Sequence, residues 1–117
     1  MLVVAALALA LARPPAAYVD TGAAHVPLAI SSWCWAAKCG APIASTRKVV
    51  RVQRGATVRV HLGYAPTQAA LTVGGVRVKP TIQGTELTWR ATRAGGLSLT
   101  ATGVRGFVTY VGRLAFL

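Results

Sequence analysis

Leu71-Thr72-Val73-Gly74-Gly75-Val76-Arg77-Val78-Lys79 decides the fold class of this chain. Apolar and polar residues alternate on both sides of the glycine pair, as in strands with one buried face. Two glycines between such runs specify a two-residue hairpin turn, because both turn positions need positive φ. Pro80 ends the second strand, since proline has no N–H to give a ladder.

The same period of two extends in both directions. From Lys48 to Val52, Val50 and Val52 share one face and Val49 and Arg51 the other; Gly55 marks a turn. From Thr57 to Leu62, Val58, Val60 and Leu62 point inward and Arg59 and His61 outward. Leu87, Trp89 and Ala91 alternate with Glu86, Thr88 and Arg90; Gly95-Gly96 then leads into Leu97, Leu99 and Ala101, with Ser98, Thr100 and Thr102 outside. Gly106 opens a last run, Phe107 to Phe116, apolar on both faces as in a strand lying between neighbours. No segment has helical periodicity. The chain is therefore expected to be all-β: an immunoglobulin-like antiparallel β-sandwich of about seven strands with Trp89 in its core. A small β-barrel is the alternative.

The 117 residues allow one domain, preceded by two short segments. Residues 1–12 contain an unbroken apolar run, Leu2 to Ala12, too short to span a bilayer and suited to a signal-peptide core. Ala10-Leu11-Ala12 predicts cleavage before Arg13, with Ala17 and Ala24 as alternative ends. The usual basic residues before such a run are missing, and a buried first strand or helix is the competing reading. Residues 13–30, rich in Ala and Pro, read as an extended leader rather than packed structure. The sandwich is expected over 31–117.

Thirteen Lys and Arg face only Asp20 and Glu86, a net charge of +11. Such a surface is soluble and attracts polyanions; the bland alternative is arginine used simply to solvate outer strand faces. Arg51, Arg59, Arg77, Lys79 and Arg90 all take outward positions and would form a basic face if their strands were neighbours. Cys34 and Cys39 are too few for a metal site and too widely spaced for the usual redox pair, so a structural disulfide closing a tight loop is the plain reading. Trp33 and Trp35 flank it, either capping the core or meeting a partner.

Ser32-Trp33-Cys34-Trp35, the following Cys39, and Val52-Gln53-Arg54-Gly55-Ala56-Thr57-Val58 together resemble a group of small exported bacterial proteins. These begin with Ser-aromatic-Cys-Trp, carry a second cysteine soon after, and continue as Val-rich strands. The likeness covers about Ser31 to Leu62; where that group often has an acidic residue after the second cysteine, this chain has Gly40 and Ala41. The resemblance implies an extracytoplasmic β-domain and no particular activity.

Chemistry-bearing patterns are sparse. Asp20 falls in the leader and Glu86 at a strand start, a poor acid/base pair. His61 reads as a solvated surface residue and His25 as part of the leader. No nucleophile elbow or phosphate-binding loop is present, and the glycine pairs lack a following helix. The expectation is a secreted or envelope domain without enzymatic activity or cofactor. Its partner would be an anionic envelope polymer, lipid head groups or another envelope protein; nucleic acid is disfavoured by the lack of stacking aromatics on the basic strands. A purely structural surface domain is the alternative, with a small hydrolase or metal-binding protein behind it.

Overall fold

The computed structural model describes residues 13–40, 42 and 48–117. Every regular element among them is a strand: β1 (Ala17–Asp20), β2 (His25–Pro27), β3 (Ala29–Trp35), β4 (Lys38–Gly40), β5 (Val49–Val52), β6 (Thr57–Leu62), β7 (Gln68–Val73), β8 (Val76–Val78), β9 (Thr81–Gln83), β10 (Glu86–Arg90), β11 (Gly95–Gly103) and β12 (Gly106–Phe116). The seven alternating runs all form strands, namely β5–β8 and β10–β12. The other five were not foreseen as strands.

One sheet has the order β2-β1-β6-β10-β9, and the second has β4-β3-β12-β11-β7-β8. β5 runs parallel to the end of β12, pairing Val49–Val52 with Arg113–Phe116; all other pairs are antiparallel. The series β1-β6-β10-β9 has the places of strands A, B, E and D of an immunoglobulin domain, and β12-β11-β7-β8 those of G, F, C and C′. The fold is an immunoglobulin-like β-sandwich extended at one sheet edge by β2, which pairs with β1, and in the other sheet by the hairpin β3–β4.

The alternation predicts the core well. Val58, Val60 and Leu87 from the first sheet meet Leu71, Leu99, Val108 and Tyr110 from the second, all fully buried. Trp89 is buried as anticipated. Each such aliphatic side chain contributes about 1.5–3 kcal/mol when taken from water, so burial across the two sheets dominates the stability.

Residues 13–30 correct the sequence-based expectation of an unpacked leader. Ala17 and Val19 are completely buried and belong to the core, and Pro14 is buried beside them. β1 pairs with β6 from Ala17–Leu62 to Asp20–Arg59, and the Tyr110 hydroxyl donates to the Pro15 carbonyl at 2.8 Å. The physical reason is that Ala17 and Val19 alternate with Tyr18 and Asp20, giving a short strand that completes the sheet edge beside β6. The folded domain therefore begins well before residue 31. The apolar segment 1–12 and its cleavage site lie outside the described residues.

β3 needs an irregularity to serve the core. Thr109 pairs with Ser32 but Tyr110 with Ile30, so Ser31 is an extra residue on β3. A bulge shifts the parity of the strand by one. It lets Ile30 face inward on one side of Ser31 while Trp33 and Trp35 face inward on the other.

Candidate functional site

The hairpin β7–β8 carries the site. Gly74 and Gly75 have φ of 59° and 78°, the double positive turn that the glycine pair specifies. Its register sets Leu71 opposite Val78 and Thr72 opposite Arg77. The Gly74 N–H also donates to the Gly96 carbonyl at 2.9 Å, which fastens the hairpin tip to the start of β11. Val78 packs against the core, so Arg77 and Lys79 on either side of it point outward.

β8 is only three residues long. After Val78 the chain leaves through Lys79-Pro80 for β9 in the other sheet, whereas β7 reaches back to Gln68. Gln68–Ala70 thus lose their outer neighbour strand, and a groove of about 520 Å³ opens there. Arg77 and Lys79 form one wall; Gln68, Thr100 and Thr102 supply the rest of the polar lining, and Ala69, Ala70, Leu71, Val78 and Pro80 the apolar part. Ala70 lies opposite Thr100, and Gln68 opposite Thr102, so a small side chain keeps the floor low beside two hydroxyls. Neither Arg77 nor Lys79 has an ion pair or side-chain hydrogen bond among the described residues.

The remaining predicted cations are elsewhere, and the single basic face envisaged from sequence is corrected. Arg59 pairs with Glu86 at 3.2 Å on the outer face of the first sheet. Arg90, on the neighbouring strand, donates from Nε and Nη2 to the Gly55 carbonyl at 3.3 Å. Arg51 lies on β5, four strand spacings from β8 along the second sheet, about 19 Å. Period-two reading places all five outward, but strand order scatters them over two sheets and opposite edges.

Cys34 and Cys39 form the expected disulfide. They sit directly opposite each other in the β3–β4 hairpin, with Cα atoms 3.9 Å apart. The two tryptophans correspondingly belong to a strand and not to a loop. Trp35 is buried and its ring lies 4.7 Å from that of Tyr64, so it caps the core. Trp33 is half-buried and its ring covers Gly40 on the facing strand, where any Cβ would collide with it.

A second polar grouping gathers both acids and both histidines. The Tyr18 ring has His25 and His61 stacked against it, each at 5.0 Å. His61 is not simply solvated: Nε2 is 3.7 Å from Asp20 and Nδ1 3.6 Å from Glu86. The imidazole bridges the two carboxylates from opposite nitrogens, which is not a convergent donor set; among the described residues no group of three such side chains could hold a metal ion. Asp20 is held below the usual carboxylate value chiefly by the Gly22 N–H, with burial opposing and His25, His61 and Arg59 adding smaller attractions. Burial pushes the Tyr64 and Tyr110 hydroxyls up, so both remain protonated donors.

Sequence reasoning missed Gln68, Ala70, Thr100 and Thr102 as site residues. The outward alternation of Ser98, Thr100 and Thr102 was visible, but not that β7 lies beside β11. Comparison with protein-family models, with curated proteins and with solved structures gives no match.

Proposed function

We propose that this protein is an exported, non-enzymatic binding domain of the bacterial envelope whose partner is an anionic envelope component. One observation carries the reading. The only two acidic side chains, Asp20 and Glu86, both lie in the first sheet beside His61 and Arg59. The second sheet carries Lys38, Arg51, Arg77 and Arg113 without a single carboxylate side chain to balance them. Cations fixed outward by folding, with no internal counter-charge, attract a polyanion whose binding weakens as salt rises. The disulfide is compatible with an oxidising, extracytoplasmic location, and the likeness of Ser31 to Leu62 to small exported proteins supports the same setting.

The test is retention on an immobilised polyglycerol phosphate across a salt series. Wild-type protein is compared with Arg77→Gln/Lys79→Gln in the second sheet and Arg59→Gln/Arg90→Gln in the first. Loss of retention in the second-sheet variant alone, with steep salt dependence for wild type, is the expected result. Equal, salt-insensitive retention of all three would reduce the cations to a solubility feature and favour an inert structural domain.

A further inference from the structure

We infer that the groove beneath Arg77 and Lys79 is a subsite for a hydroxyl-bearing polyol-phosphate chain, gripped by charge on one wall and by hydroxyls on the floor. This deepens the polyanion reading and rests on it. The groove lies within the ~300–1,000 Å³ typical of ligand sites, and its polar groups divide by chemistry, set among Ala70, Leu71, Val78 and Pro80. Arg77 and Lys79 are two residues apart on the same side of the chain, so their Cα atoms are separated by about 6.8 Å. With side chains exposed and, among the described residues, unpaired, the two cations can reach successive anions held apart by a polyol unit. An arginine fork and a lysine ammonium are both strong phosphate donors.

Opposite them, Thr100, Thr102 and Gln68 present hydroxyl and amide groups that donate and accept. The Thr100 hydroxyl is already joined to that of Thr109 at 2.7 Å, which fixes its orientation while leaving further lone pairs. A ligand bearing only negative charge would use one wall. A chain alternating phosphate and hydroxyl would use both. No aromatic side chain lines the groove, so neither a nucleobase nor a sugar ring finds a stacking platform there. A polyol-phosphate chain presents successive phosphates to both cations, whereas each lipid head group presents a single phosphate.

Binding is measured in solution with soluble polyglycerol phosphate, with inorganic polyphosphate of matched charge, and with phosphatidylglycerol vesicles. The variants are Arg77→Gln/Lys79→Gln, Thr100→Val/Thr102→Val and Thr100→Ser/Thr102→Ser. The charge variant should lose about tenfold or more for polyglycerol phosphate. The valine variant should lose about threefold or more for polyglycerol phosphate and nothing for polyphosphate. The serine variant, which keeps both hydroxyls, should bind as wild type, and the valine variant's unchanged polyphosphate binding shows that its loss is not misfolding. Vesicles should bind more weakly than the soluble chain. Polyglycerol phosphate binding untouched by the valine substitutions, or polyphosphate or vesicles binding as tightly, overturns the hydroxyl-reading subsite and leaves general polyanion binding standing. No binding to any of the three overturns both.

Discussion

The hairpins β1–β2 and β3–β4 lie next to each other in sequence and are held together in opposite ways. β1–β2 closes through Thr21 to Ala24 with its own hydrogen bonds: the Gly22 N–H to Asp20 Oδ1 at 2.8 Å and the Ala24 N–H to Thr21 Oγ1 at 3.1 Å. Gly22 takes the positive φ that the turn requires. β3–β4 turns instead through Ala36 and Ala37, with φ of 52° and 65°, a conformation that costs an L-residue about 1–2 kcal/mol. Its strands are cross-linked by Cys34–Cys39, and the Ala36 N–H donates to Arg105 in the neighbouring β11–β12 turn. A hairpin with suitable turn residues and a buried Val19 needs no covalent tie. One with an unfavourable turn acquires it.

The comparison breaks most decisively at β1. A chain starting at Arg13 should melt as the full-length protein does. One starting at Thr21 loses Val19, the β1–β6 ladder and the acceptor of Tyr110. Its destabilisation should exceed about 4 kcal/mol, a large part of a typical total of ~5–15 kcal/mol. Urea midpoints decide it; a Thr21-start protein as stable as wild type would mean that β1 is peripheral.

Replacing both cysteines by alanine comes next. Closing so short a loop gives about 2 kcal/mol by chain entropy, or a fall of roughly 10 °C in a domain of this size. Intact mass with and without alkylation checks that the thiols are joined in the wild type. Ala36→Asn/Ala37→Gly supplies residues that accept positive φ, and should raise stability by about 1 kcal/mol. The gain should persist in the cysteine-free protein. No gain in either background would show that the alanine turn carries little strain.

Asp20→Asn gives the smallest effect and a signed pH dependence. The Asp20 carboxyl is depressed below its ordinary 3.8 in the folded protein. Its contribution is therefore present above that value and disappears as pH falls through the lower folded value. The difference in melting temperature between wild type and Asp20→Asn should be small at about pH 6 and close toward about pH 2. A gap constant across this range would deny the charge any role in the β1–β2 turn.

What the sequence disclosed follows from the range of each interaction. Gly74-Gly75 and the inward Val58, Val60 and Leu62 are local signals, and they predicted strands, turn and core faces correctly. β9 was missed because Ile82 is exposed and Thr81–Gln83 is short, leaving no alternation to detect. β1 was hidden by the prolines before it and the alanines around it, although Ala17, Tyr18, Val19 and Asp20 do alternate. The β3–β4 turn lacked glycine or asparagine, so the cysteines suggested a loop where there is a hairpin. The groove was beyond reach for a different reason. It depends on β7 lying beside β11 and on where β8 departs, and no single strand records its neighbours.

β12 stands at the centre of the second sheet, with β11 on one side and β3 and β5 sharing the other. It is also the last of the described strands in chain order. Until its eleven residues are in place, the β3–β4 hairpin is cut off from β11, β5 has no partner in that sheet, and Pro15 has no Tyr110 to hold it. The first sheet pairs without β12, but the second stays divided into β3–β4 and β11-β7-β8 until β12 joins them. The sandwich therefore closes only around β12, and one strand decides whether the second sheet exists as a unit.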